Sequence, residues 1–165
     1  MNRMPLKMLL LTAAVAAPIA ATQAATVTVE FKDPDHYVDA GNRGADRDRN
    51  FKTLTTYLQK LGERLPAQQT LAITVLALDL AGQYEPWRSP PGNEDIRYLR
   101  SSTWPSMQLH YRLGDGDKTV GEGEDSIADM NYQLGRQVGS ESTLYYDKQM
   151  LKTWFDKRFP VDGKP

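Results

Sequence analysis

The chain has 165 residues, 40% of them hydrophobic, no cysteine and a formal net charge of −1. The missing cysteine excludes a disulfide framework, a thiolate metal site and acylation at a leader's cut site. Arg3 and Lys7 are the only charges in the first 24 residues; without them the 20 basic side chains fall to 18 against 21 acidic ones, a net of about −3, which argues against a nucleic-acid partner.

Residues 1–24 divide into a basic start (Arg3, Lys7), an apolar core (Met8 to Ala17) and the small-residue stretch Ala21-Thr22-Gln23-Ala24-Ala25. This is the three-part pattern of a secretory signal peptide. Thr22 and Ala24 stand at the third and first positions before the cut, leaving Ala25 as the new terminus; a cut after Ala25 is the alternative. The apolar core is roughly half the length of a membrane span, and no later stop-transfer run follows. Neither a span nor a lipid anchor is expected. Residues 25–165 read as one domain, long enough to bury a core without disulfides.

Thr26 to Phe31 alternates, with Val27, Val29 and Phe31 on one face of a half-buried strand that ends at Asp33-Pro34. A polar loop then leads to a helix starting near Asp46 or Asp48, on which Phe51, Leu54, Leu58, Leu61 and Leu65 form one stripe until Pro66 stops it. Leu71 to Leu80 reads as a central strand, apolar on both faces: Leu71, Ile73 and Val75 on one, Leu76, Leu78 and Leu80 on the other. A long Pro- and Gly-bearing connection from Gly82 to Pro105 holds a short strand at Ile96 to Leu99. Connections of this length inside a compact domain are often functional.

Met107 to Leu113 and Lys118 to Asp125 form a hairpin around Asp115-Gly116-Asp117. A three-residue loop sets Tyr111 opposite Gly121, Leu109 opposite Gly123, His110 opposite Glu122 and Gln108 opposite Glu124, pairing large with small and base with acid. The last element follows Ser140-Glu141-Ser142-Thr143, whose hydroxyls suit a helix cap, and carries Tyr146, Met150, Leu151, Trp154 and Phe155. The fold class is α+β: two helices packed on one face of a four- to five-stranded mixed sheet, with the first and central strands parallel.

Chemistry-bearing patterns are sparse. Asp33, Asp35 and His36 cluster, as do Asp46, Asp48 and Asn50, but neither the run from Asp46 nor that from Asp115 has the glycine and bidentate acid of a calcium loop. With only His36 and His110 present, a histidine-rich zinc site cannot be assembled. There is no nucleophile elbow, no Ser-x-x-Lys pair and no phosphate-cradling glycine pattern. No metal and no cofactor is expected. Asp79, late in an apolar strand, has two readings: it caps the turn at Ala81-Gly82, or it is a general base with a shifted pKa. Asp129 reads as the cap of a short turn at Asp129-Met130-Asn131-Tyr132. Trp87, Arg88 and Trp104 in the long connection, with Tyr132, are candidate binding residues; the alternative is that both tryptophans roof the open sheet face.

Several segments together resemble the domain-of-unknown-function family 3016: the first strand into Asp33-Pro34, Tyr37-Val38-Asp39, Leu78-Asp79-Leu80-Ala81-Gly82, Trp104-Pro105, Tyr111-Arg112-Leu113, Asp129-Met130-Asn131-Tyr132, and Lys148 with Leu151 and Trp154-Phe155. The resemblance implies an exported protein of Gram-negative bacteria, hence the periplasm, with secretion as the alternative; it carries no mechanism. The first functional reading is a non-enzymatic module that binds a periplasmic protein or envelope component through the Gly82 to Pro105 connection. The second is a small acid/base enzyme, hydrolase-like and acting on envelope material, that uses Asp79 with Asp129 or His36.

Overall fold

The computed structural model describes residues 24–42, 44–92, 96–134 and 143–160. The leader up to Gln23 and the Ser140 to Ser142 part of the expected cap lie outside them. β1 (Thr26–Phe31) leads through a 3-10 turn (Pro34–His36) to α1 (Gly44–Gly62) and β2 (Gln69–Asp79). The long connection holds β3 (Gln83–Tyr84) and β4 (Arg97–Tyr98), after which come the hairpin β5 (Ser106–Asp115) and β6 (Lys118–Ala128) and finally α2 (Tyr145–Arg158). The main sheet runs β1-β2-β5-β6, with β1 parallel to β2 and the other pairs antiparallel. The class is the expected α+β. The short strand predicted at Ile96 to Leu99 does not widen the main sheet; as β4 it pairs with β3 in a separate ribbon.

One apolar core joins the layers. Val27 of β1, Leu54, Leu58 and Leu61 of α1, Leu71, Ile73 and Val75 of β2, Met107, Leu109 and Tyr111 of β5, and Leu151, Trp154 and Phe155 of α2 belong to a single buried cluster. The opposite face is solvated through Thr28, Glu30, Ala72, Gln108, Arg112, Glu122 and Glu124, as a sheet covered on one side should be. α1 starts at Gly44, ahead of Asp46, and ends at Gly62, so Leu65 sits in the turn before Pro66, its amide bonded to the Gly62 carbonyl at 2.9 Å.

Two bulges correct the strand readings. The register of β2 on β5 shifts between Val75 and Ala77. The extra residue, Leu76, advances the side-chain phase by one position, so Leu78 and Leu80 join Leu71, Ile73 and Val75 in the same core instead of facing away from them. The Val75 carbonyl beside the bulge accepts the Lys32 amide at 3.0 Å and the Tyr37 hydroxyl at 2.9 Å. Burial, with Asp33 and Glu30 nearby, pushes the Tyr37 phenol up to about 12.

The hairpin register also differs from the predicted one. Asp115 pairs with Lys118 across Gly116-Asp117, and a second shift, which makes Val120 the extra residue, places Tyr111 opposite Gly123, Leu113 opposite Gly121, Leu109 opposite Asp125 and His110 opposite Glu124. The bulge leaves Val120 54% exposed while bringing the glycine under the Tyr111 ring. A Cβ at Gly123 would lie 3.1 Å from the Tyr111 hydroxyl and 3.3 Å from its ring edge. That ring cannot retreat, because Trp154 and Phe159 pack against it edge-on at 6.2 and 5.7 Å between centroids. Gly123→Ala is therefore expected to destabilise by about 1 kcal/mol, an overpacking cost partly offset by the better strand propensity of alanine; urea denaturation measures it.

β6 is the outer strand of its sheet, and Asp125 turns its carboxylate inward, where the Trp154 indole N–H (2.9 Å) and the Arg158 Nε (3.0 Å) donate to it. Burial works against that charge, but these bonds outweigh it and hold its pKa below the ordinary value. An inward charge of this kind blunts an edge strand against chance pairing. At the start of α2 the cap position falls on Leu144, in left-handed conformation at φ 55 and with no side-chain cap bond. The helix start is anchored by Asp147 instead.

Candidate functional site

Where β2 ends, the chain leaves the sheet through Leu80, Ala81 and Gly82, and each backbone group there finds a distant partner. Asp39 extends the β1 side as a parallel bridge to Asp79, its amide bonding the Leu78 carbonyl and its carbonyl accepting from Leu80. The Ala81 amide donates to the Asp147 carboxylate at 3.0 Å, and the Gly82 amide to the Thr103 carbonyl at 2.9 Å. Gly82 has φ +75 and the Tyr98 carbonyl lies 2.8 Å from where its Cβ would be, so only glycine fits.

Arg97 closes this junction. Its Nε donates to the Ala81 carbonyl (3.1 Å) and its Nη2 to the Leu80 and Gly82 carbonyls (3.0 and 2.6 Å), while Nη1 and Nη2 meet the two Asp39 oxygens at 3.1 and 2.9 Å. The guanidinium also lies over the Tyr84 ring at 4.7 Å. Only the rigid donor fork of arginine serves so many acceptors at once.

The connection from residue 82 to 105 is thus a strap with its own internal clamp. Glu85 is covered, and its carboxylate takes a bidentate pair from Arg100 (2.5 and 2.7 Å) and a bond from Gln83 at 3.1 Å. The Arg100 hydrogen bonds, then that of Gln83, hold its pKa down to about 2. Arg88 approaches Glu85 at 3.7 Å and stacks over the Tyr98 ring at 5.2 Å. Trp87 projects from this frame and is 78% exposed.

The predicted site residues divide clearly. Asp79 does not cap Ala81-Gly82: Asp147 and the Thr103 carbonyl take those amides. Burial, then the neighbouring Asp39 charge, raise the Asp79 pKa, and Arg97 opposes them. Asp129 does cap its turn, accepting the Asn131 amide at 3.1 Å. Because Asp79 pairs with Ser106 and Ser106 with Ala128, Asp79 and Asp129 stand two strands apart, about 10 Å at the usual strand spacing. His36 is exposed in the 3-10 turn. Tyr132 is buried and donates its hydroxyl to the Arg100 carbonyl at 2.7 Å, so it braces the strap from below. Trp104 is 37% exposed.

Asp39, Glu85, Arg97, Arg100 and Asp147 were not singled out from the sequence. Asp147 in the first turn of a helix reads as an ordinary surface acid favoured by the helix dipole; its one sign of burial is the preceding Tyr145-Tyr146 pair. It is 2% exposed, and burial pushes its carboxyl up to about 6. Shifted pKa values mark functional sites, yet these carboxylates bond backbone or face one another, an arrangement suited to holding the strap. Among the described residues no group of three or more His, Cys, Asp or Glu is placed to hold a metal, and no described helix is long and apolar enough to cross a membrane. Two grooves of about 420 Å³ lie away from the junction, one between β6 and α2 and one along α1.

The segments that meet here, Asp39, Leu78 to Gly82, Trp104-Pro105 and Asp129 to Tyr132, are among those on which the family resemblance rests. Residues 25–157 match the family described as "Protein of unknown function (DUF3016)". No curated protein matches the chain.

Proposed function

The chain belongs to the DUF3016 family, and from that premise we propose that it is an exported, non-enzymatic module of the periplasm that binds a protein or another envelope component through the strap of residues 82–105. The carrying observation is Trp87, 78% exposed two residues after Glu85, which the bidentate Arg100 pair holds in place, on a segment also tied to the end of β2 by Arg97. A preorganised loop presenting an aromatic side chain beside an arginine gives up little conformational entropy on binding and offers the residue types that dominate interface energetics. The export reading is supported by the three-part leader and by the family match and first strand, which begin at residues 25 and 26. Its check is the mass of the exported chain: cleavage between Gln23 and Thr26 is expected, and an uncleaved chain would sink it.

The binding reading is tested with Trp87→Ala and Trp104→Ala. Trp87 contributes little packing, so its variant should keep its stability within about 0.5 kcal/mol while losing the partner that cross-linking in the periplasm captures with the unaltered chain. A Trp87→Ala chain that unfolds, or that still captures the same partner, would overturn the reading.

A further inference from the structure

On the helix face away from the sheet, Arg49, Lys52, Thr56, Tyr57 and Lys60 recur at helical spacing and, with Lys148 of α2, line a groove of about 420 Å³. The lining carries four cations and no carboxylate. Nearby cations are matched to carboxylates: Arg64, just past α1, and Lys152 of α2 share Asp156, and Arg158 is bonded to Asp125. Arg49 pairs with Asp46 at 3.0 Å, but Lys52 and Lys60 make no ion pair among the described residues. Tyr57 lines the groove, with the Lys148 ammonium 5.9 Å from its ring centroid. Lys52 and Lys60 are about 12 Å apart along the helix axis at 1.5 Å per residue.

We propose that this groove is a binding site for an anion carrying two or more phosphate groups, one held at the Arg49–Lys52 end and one at the Lys60–Lys148 end. Lysine ammoniums bind phosphate as flexible point charges, and cations rooted this far apart on long arms suit a row of phosphates, or a diphosphate on which the arms close from both ends, better than a single carboxylate. The same chemistry is found in soluble polyphosphates and in the headgroups of an anionic lipid surface, where basic helix faces are drawn by charge. The site lies outside the strap and does not depend on Trp87.

The test uses the full mature chain and two probes: pyrophosphate, followed through amide shifts along α1, and vesicles of equal phosphatidylglycerol and phosphatidylcholine, followed by co-sedimentation. Saturable binding of either probe is expected, lost at about 1 M salt, where the screening length is about 3 Å. The double variant Lys52→Gln, Lys60→Gln should weaken it about thirtyfold, the effect of removing two cations at an anionic surface, whereas Lys157→Gln, at the other groove, and Trp87→Ala should leave it unchanged. Both lysines in the double variant are exposed, so its thermal unfolding should match that of the unaltered chain. Displacement from vesicles by pyrophosphate identifies a soluble phosphate ligand, and vesicle binding that pyrophosphate does not displace identifies a headgroup; both support the site. Binding of neither probe, equal loss with Lys157→Gln, or equally tight binding of dextran sulfate would overturn it.

Discussion

Arg97→Met should lower stability by about 3 kcal/mol, the cost of removing one partner from a largely buried charge pair, and the midpoint of thermal unfolding by roughly 10 °C. Methionine keeps much of the side-chain volume but donates nothing, so the carbonyls of Leu80, Ala81 and Gly82 lose their side-chain donor together, and the Asp39 carboxylate keeps only the Gly41 amide on Oδ1. Leu80, Ala81 and Gly82 are buried, so water cannot readily take its place. Asp79, whose pKa is raised by burial and the Asp39 charge, would also lose the opposing Arg97 charge. Arg97→Lys keeps the charge but reaches only part of the acceptor set, so it should recover less than half of the loss. Hydrogen exchange would locate the effect: the Gly82 amide, bonded to the Thr103 carbonyl, should lose protection before the β2–β5 ladder does. A loss under about 1 kcal/mol would show that the strap is held by something else.

Asp147 makes the opposite kind of contribution, and pH reveals it. Its carboxyl is pushed up to about 6 by burial, against which the Ala81 amide bond acts only in part; an unfolded aspartate titrates near 3.9. The folded chain therefore binds this proton more tightly than the unfolded chain. The resulting stabilisation is complete below about pH 4, is lost as pH rises through about 6, and amounts to about 2–3 kcal/mol between those limits. Asp79, also raised, shifts stability in the same direction. Glu85, Asp125 and Asp156 are held below their ordinary values, so their contributions fade as pH falls below about 4. Stability measured by urea unfolding should consequently peak near pH 4 to 5. Asp147→Asn keeps an oxygen to accept the Ala81 amide but carries no buried charge; it should be more stable than the unaltered chain at pH 7, and its stability should vary less between pH 4 and 6. An unchanged pH profile in that variant would show that Asp147 is not the titrating group.

These two residues also mark how far local pattern reaches. The alternation of Thr26 to Phe31, the stripe from Leu54 to Leu61 and the aromatic face of α2 are legible because each follows from the period of a single element, and the parallel β1–β2 pair because a helix joins the two strands as a crossover. The bulges at Leu76 and Val120 are not legible. A bulge leaves alternation intact on both sides and only changes its phase, so Leu78 and Leu80 look as though they face away from Val75 until the core shows otherwise. The preferred hairpin register failed for the same reason, although its premise of a glycine beneath Tyr111 holds, at Gly123 in place of Gly121.

The sequence by itself determined the leader pattern, the α+β class and the family resemblance. Those features depend on composition, on periodicity and on residues close together in the chain. Only the tertiary structure decided that Arg97, Asp39 and Asp147 close one junction, that Asp79 caps nothing there, that Tyr132 supports the strap from inside while Trp87 faces solvent, and that lysines of α1 and α2 share a groove. The physical reason is that a buried polar group must find a partner wherever the folded chain brings one. Asp147 reaches Ala81 across 66 positions and Arg97 reaches Asp39 across 58, separations that no local pattern encodes.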